Sequence, residues 1–233
     1  MLFRSPLRDL QFRGGARRID FVQWYNLHPQ TLKQQIQRRP SEMPPAGEIR
    51  NRKLICLAGF MGSGKTTVGQ LLARQMGWHF VDLDTVIEER AGLSIPGIFD
   101  RLGEPGFREL EHEALIRTLG ETFTRERPTV VALGGGTFAQ PQSFAALRST
   151  GCAVIWLECP VEQLLARCAT ITNRPLFRDE ASFRQLYELR LPFYKQADFR
   201  VDGTAEPRRV VEQILAMGHF ESPGFARDTK ETA

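Results

Sequence analysis

A chain of 233 residues with 42% hydrophobic and 25% charged residues can bury a sizeable core and has the make-up of one main globular domain with appendages. Its net charge of +4 is unevenly placed: residues 1–50 hold nine Lys/Arg against four Asp/Glu, and the rest of the chain holds 22 against 23. The pI near 9.1 therefore belongs to the N-terminal segment and gives no warrant for a nucleic-acid partner, and no apolar run approaches the roughly 18 residues of a membrane helix.

The first fifty residues differ in kind from the remainder. Arginines are scattered from Arg4 to Arg18, the aromatics Phe21, Trp24 and Tyr25 follow, and residues 29–39 form a short candidate helix. A Pro-rich stretch at 39–47 then reads as a linker. No secretory apolar region stands at the N-terminus, although the Arg-rich, acid-poor start leaves an organelle transit peptide as a further reading. Cys56, Cys152, Cys159 and Cys168 have no metal-binding or redox spacing, and reduced core thiols in a cytoplasmic protein are the expectation.

From residue 52 strands and helices alternate. Residues 53–58 (KLICLA) suit a buried parallel strand. The segment Gly59-Phe-Met-Gly-Ser-Gly-Lys-Thr-Thr67 follows and fits the phosphate-loop pattern GxxxxGK[ST] at Gly59, Gly64, Lys65 and Thr66. Glycines let backbone N–H groups turn inward around phosphate oxygens, Lys65 can reach the β- and γ-phosphates, and the Thr66 hydroxyl can ligate Mg²⁺. Val68, Leu71, Leu72 and Met76 recur at helical spacing, so a helix begins near Lys65 with its positive end towards the anion. Gly62, Ser63, Gly64, Lys65, Thr66 and Thr67 are the expected contacts to a nucleoside triphosphate.

Residues 78–83 read as a second strand ending Val81-Asp82-Leu83-Asp84, and strand alternation points both acids to one side at its carboxyl end. One carboxylate can support the metal while the other orients an acceptor hydroxyl or takes its proton; the plainer reading is a pair that caps a helix starting near Thr85. Helical patterns follow at 85–91, 95–102 and 107–119, the last placing Arg108 and Glu111 three apart, where a carboxylate can hold a guanidinium. A third strand at 129–133 runs into Gly134, Gly135 and Gly136, where a ligand can lie on bare backbone. A helix at 142–148, a strand at 153–157, a helix at 161–168 and a polar loop at 169–182 come next. A helix through Leu189, a fifth strand at 198–201, a helix at 207–217 and a frayed tail at 218–233 complete the chain. The alternation argues a parallel α/β sheet covered on both faces.

In their order along residues 52–217, GFMGSGKTT, FVDLDTVIEERAGLSIPGIF, GEPGFRELE, ALGGGT, NRPLF and RLPFY resemble shikimate kinase. The resemblance implies a P-loop kinase fold with a five-stranded parallel sheet and a mobile lid, in residues 51–217, with residues 1–50 as an extension and 218–233 as a tail. It implies ATP- and Mg²⁺-dependent phosphorylation of the 3-hydroxyl of shikimate, in chorismate and aromatic amino acid biosynthesis. Carried across, Lys65 and Thr66 serve the triphosphate and metal, Asp82 supports the metal, and Asp84 binds the acceptor hydroxyl as candidate base. Arg108, held by Glu111, and Arg190 grip the substrate carboxylate, and Gly134, Gly135 and Gly136 line its ring. Arg174 comes down with the lid, and Arg167 and Pro207 sandwich the adenine. Arginine forks suit a carboxylate better than lysines do, and transfer through a loose transition state calls for a lid that excludes water. A monomer acting on a small molecule is expected. The competing readings are a related small-molecule kinase, such as a gluconate kinase, and a ligand-sensing regulator on the same fold.

Overall fold

The buried strand expected at KLICLA is the axis of the molecule. In the computed structural model, which describes residues 51–169, 179–218 and 220, β1 (Asn51–Ala58) lies mid-sheet between β3 (Thr129–Ala132) and β4 (Cys152–Glu158). The edges are β2 (His79–Asp82) and β5 (Phe199–Asp202), giving the order β2-β3-β1-β4-β5 with every pairing parallel. A central parallel strand has both faces covered, so it must be apolar throughout, and Leu54 to Ala58 are all buried. The expected N-terminal helix at 29–39, the linker, most of the tail and residue Arg174 lie outside the described residues.

The period-two alternation of the strands divides the core in two. Ile55 and Leu57 join Val130, Ile155 and Val201 beneath α1 (Lys65–Met76) and the helix Pro207–Ala216. Leu54, Cys56 and Ala58 join Val131, Val154 and Trp156 on the other face. That face carries α2 (Leu83–Ala91), α3 (Ile95–Arg125), α4 (Pro141–Thr150), α5 (Val161–Cys168) and α6 (Glu180–Tyr194), which leaves the helix Pro207–Ala216 as α7. All four cysteines are buried thiols outside any disulfide.

Three boundaries differ from the sequence expectation for identifiable reasons. The second strand stops at Asp82, because the Asp82 carboxylate accepts the Asp84 N–H at 3.0 Å and starts α2 at Leu83, two residues early. The two helices expected at 95–102 and 107–119 are both present within α3, meeting at the non-helical Gly103 (φ 67°, ψ −176°), but the second resumes before Phe107, around Pro105, and runs on to Arg125. Between the two the chain turns without a loop, because Gly103 supplies the left-handed φ and Pro105 suits the first turn of the resumed helix. Finally, α6 begins at Glu180 inside the expected loop, since Asp179 accepts the Ser182 N–H at 2.8 Å and caps it.

Candidate active site

The carboxyl ends of β1, β2 and β3 open onto the glycine-rich loop, the edge where open parallel sheets bind ligands. Gly64, at φ 89°, is the residue before α1 and offers no side-chain cap, so the first-turn amides keep no intrahelical acceptor and face outward. Gly62, at φ 80°, is equally committed: a Cβ there would lie 2.8 Å from the Cys168 sulfur. Lys65 Nζ donates to the carbonyls of Gly59 at 2.9 Å and Phe60 at 3.0 Å, which folds the ammonium back over the loop. The Ser63 hydroxyl is buried with no partner among the described residues. An orphaned hydroxyl, a helix N-terminus without a side-chain cap and an ammonium around one loop fit the oxygens of a polyphosphate.

Thr66 Oγ1 donates to Asp82 Oδ2 at 2.6 Å, joining the phosphate loop to the end of β2. That hydroxyl–carboxylate pair fits Mg²⁺, which takes one or two protein groups and completes its octahedron from phosphate and water. Asp82 thus has two partners, the Thr66 hydroxyl and the Asp84 amide. The expectation that Asp84 shares a strand face with Asp82 is corrected, since Asp84 sits in the first turn of α2. Its carboxylate nevertheless reaches the site. A Cβ placed on Gly134 would lie 2.8 Å from Asp84 Oδ1, 2.7 Å from Glu111 Oε1 and 2.9 Å from Thr137 Oγ1. Three oxygens from three elements converge on one glycine, which is why that position has no side chain.

Arg108 stands on the next glycine but one: a Cβ on Gly136 would lie 2.6 Å from its Nη1. The guanidinium donates to Glu111 Oε2 at 2.7 Å and to Glu104 Oε1 at 3.0 and 3.3 Å. Burial works against its charge, but Glu111 and then Glu104 outweigh that and hold its pKa above the ordinary value. Arg190, 5% exposed, donates to the Gly135 carbonyl at 3.2 Å and lies over the Phe60 ring at 5.5 Å. Burial pushes its pKa down; Tyr194 offsets part of this and Arg108 adds to it. Among the described residues no carboxylate pairs with Arg190. A buried guanidinium beside a second one is costly unless an anion joins them, so the pair fits a carboxylate ligand.

Arg167 donates to the carbonyls of Gly62, Gly203 and Thr204 at 3.1–3.3 Å and so joins the phosphate loop to the turn before α7, whose first residue is Pro207. The two residues thus flank one turn, and the guanidinium is fixed by backbone. Three contributors were not singled out from sequence. Phe60 packs edge-on against Phe183 and Tyr187 of α6, with centroids 5.0 and 5.4 Å away, fastening the phosphate loop to the helix of Arg190. Tyr194 donates to the Gly135 carbonyl at 2.5 Å, and Thr137 donates to Glu111 Oε1 at 2.6 Å. The signals for them are weak: a tyrosine one helical turn after Arg190, and a hydroxyl residue directly after three glycines.

Residues 61–218 match the family model described as shikimate kinase. A shikimate kinase of Moorella thermoacetica is 44% identical over 169 residues, covering 70% of this chain and 94% of that protein. One from Persephonella marina is 40% identical over 163 residues, covering 69% and 96%. Among solved structures, Acinetobacter baumannii shikimate kinase in complex with shikimate is 35% identical with a TM-score of 0.65, covering 70% of this chain and 91% of that one. The Aquifex aeolicus shikimate kinase is 38% identical with a TM-score of 0.62, covering 70% and 94%.

Proposed function

This chain belongs to the shikimate kinase family, and from that premise we propose that it transfers the γ-phosphoryl group of ATP to the 3-hydroxyl of shikimate, giving shikimate 3-phosphate and ADP. The observation that carries the reading is the buried Arg190 near Arg108, paired with no carboxylate of the described residues, with the glycines Gly134 to Gly136 beside the two guanidiniums. Two guanidiniums on a small glycine-lined surface favour a compact carboxylate-bearing acceptor over a nucleotide.

The residue roles proposed with this reading are supported by the geometry of the described residues. Lys65, the amides of Gly62 to Thr67 and the Ser63 hydroxyl hold the triphosphate, while Arg167 and Pro207 border the adenine. Thr66 and Asp82 would hold Mg²⁺, which would supply positive charge against the triphosphate. Arg108 and Arg190 fix the acceptor by its carboxylate, so that its 3-hydroxyl meets Asp84 above Gly134. The hydroxyl oxygen bonds to the γ-phosphorus, the bond from that phosphorus to the bridging oxygen of ADP breaks, and the hydroxyl proton passes to Asp84. Arg174, which lies outside the described residues, is assigned to the phosphates on the family resemblance of NRPLF. Residues 51–217 make up the catalytic unit, residues 1–50 an extension and residues 218–233 a tail; the chain acts as a monomer, in the cytoplasm, whose reducing conditions suit four buried cysteines outside any disulfide.

Coupled ADP release with shikimate, gluconate, CMP and AMP tests the reading. Turnover is expected with shikimate and Mg·ATP, and to vanish on chelation of Mg²⁺. Faster turnover with gluconate or CMP than with shikimate would sink it.

A further inference from the structure

Glu111 is a charged group in an unusual place. Its side chain is fully buried, and each of its oxygens is committed: Oε2 accepts from Arg108 at 2.7 Å and Oε1 accepts from Thr137 at 2.6 Å. The other carboxylate on Arg108, Glu104, is 53% exposed, so the fully buried Glu111 is the partner that the core holds in place. A carboxylate can rotate about its own stem unless its second oxygen is held as well. Among the described residues, Thr137 is the group that holds it. That hydroxyl reaches across 26 residues of sequence, although a threonine opening a short turn ordinarily bonds to neighbouring backbone. Thr137 is itself fully buried, and its N–H donates to the Gly134 carbonyl at 3.2 Å, which locks the hydroxyl to the glycine loop.

We propose that Thr137 is a positioning residue of the acceptor site: its hydroxyl orients Glu111, Glu111 orients Arg108, and Arg108 meets the carboxylate of the acceptor. The chain of contacts registers the guanidinium against the loop on which the acceptor ring lies. Thr137 touches no substrate, so its effect is on how well the enzyme recognises a carboxylate. The inference rests on the reading of Arg108 given above.

The test compares wild type with Thr137→Val, Thr137→Ala and Thr137→Ser on two acceptors, shikimate and its carbinol analogue with –CH₂OH in place of –COO⁻. Wild type is expected to prefer shikimate strongly. Thr137→Val keeps the shape and loses the donor, so its KM for shikimate should rise about ten- to hundred-fold, the size expected for one hydrogen bond to a charged group. Its kcat on shikimate, its KM for ATP and its turnover of the carbinol should stay near wild type, and Thr137→Ser should restore the preference. Thr137→Ala carries the same expectation if the valine variant is insoluble. The proposal is overturned if the preference survives in Thr137→Val, if both acceptors or ATP suffer equally, or if serine fails to rescue. It is equally overturned if the Val and Ala variants are insoluble while Ser folds, because a purely structural anchor then accounts for the hydroxyl. A wild type that does not distinguish the two acceptors refutes the Arg108 reading instead.

Discussion

Gly136→Ala isolates one contact on which the acceptor site depends. Gly136 has φ −108° and ψ −14°, which any residue adopts, so the substitution adds a methyl without straining the backbone. That methyl would sit 2.6 Å from Arg108 Nη1, 2.8 Å from Nη2 and 3.0 Å from Cζ. Ordinary contacts of this kind lie near roughly 3.5 Å, so the guanidinium must retreat by on the order of 1 Å. It cannot do so and keep the 2.7 Å bond to Glu111, whose carboxylate is immobile in the core. Losing a hydrogen bond between charged groups costs about 1.5–3 kcal/mol. The Arg108 side chain is only 14% exposed, so solvent replaces little of that. The expected result is a rise in the KM for shikimate of about ten- to hundred-fold, with kcat and the KM for ATP changed by less than about threefold. Initial rates of ADP release at saturating ATP, with shikimate varied, measure it. Gly120→Ala serves as the control: it lies in α3 with nothing within 4 Å of the added atom. It should leave the kinetics alone and raise the melting temperature slightly, since alanine is worth about 1 kcal/mol over glycine inside a helix. An unchanged KM for shikimate in a folded Gly136→Ala enzyme would refute the placing of Arg108 on the acceptor.

Lys65→Ala should retain the fold, checked by circular dichroism, and lose at least about 10²-fold in kcat, as expected when preorganised charge is removed from a transition state. Asp84→Asn keeps the shape and can still hydrogen-bond a hydroxyl, but cannot take a proton. Its kcat should fall by roughly 10²–10⁴-fold, nearer the lower figure because a loose transition state asks less of a base, and shikimate binding by calorimetry should change little. Lost binding with intact kcat would make Asp84 a positioning group. A protein beginning near Glu48 should fold and keep its kcat within about tenfold, roughly 1.4 kcal/mol; a larger loss in steady-state kinetics would place part of the extension in the catalytic unit.

Elements whose signal is local are legible in the amino-acid sequence. The strand KLICLA, the phosphate loop and α1 follow within 24 residues, and each rests on spacing or on glycine chemistry that neighbours decide. Arg108 and Glu111 pair as their three-residue spacing implies, because one helical turn suffices to bring them together. The departures are also local in cause. The alternation drawn through Asp82 and Asp84 loses to a side chain that can cap a helix, and one hydrogen bond at Asp82 moves the boundary by two residues.

Tertiary structure alone decided the rest. That β1 lies between β3 and β4 follows from packing layers of helices against both faces, and no stretch of the chain encodes it by itself. That order brings Asp84, Glu111 and Thr137 around one glycine, sets Arg190 against a carbonyl 55 positions away, and runs Arg167 from the phosphate loop to Gly203. The sequence by itself determined which chemical groups are present and on which elements they ride. Where those groups meet depended on long-range burial, because distances between elements are set by the core that packs them together.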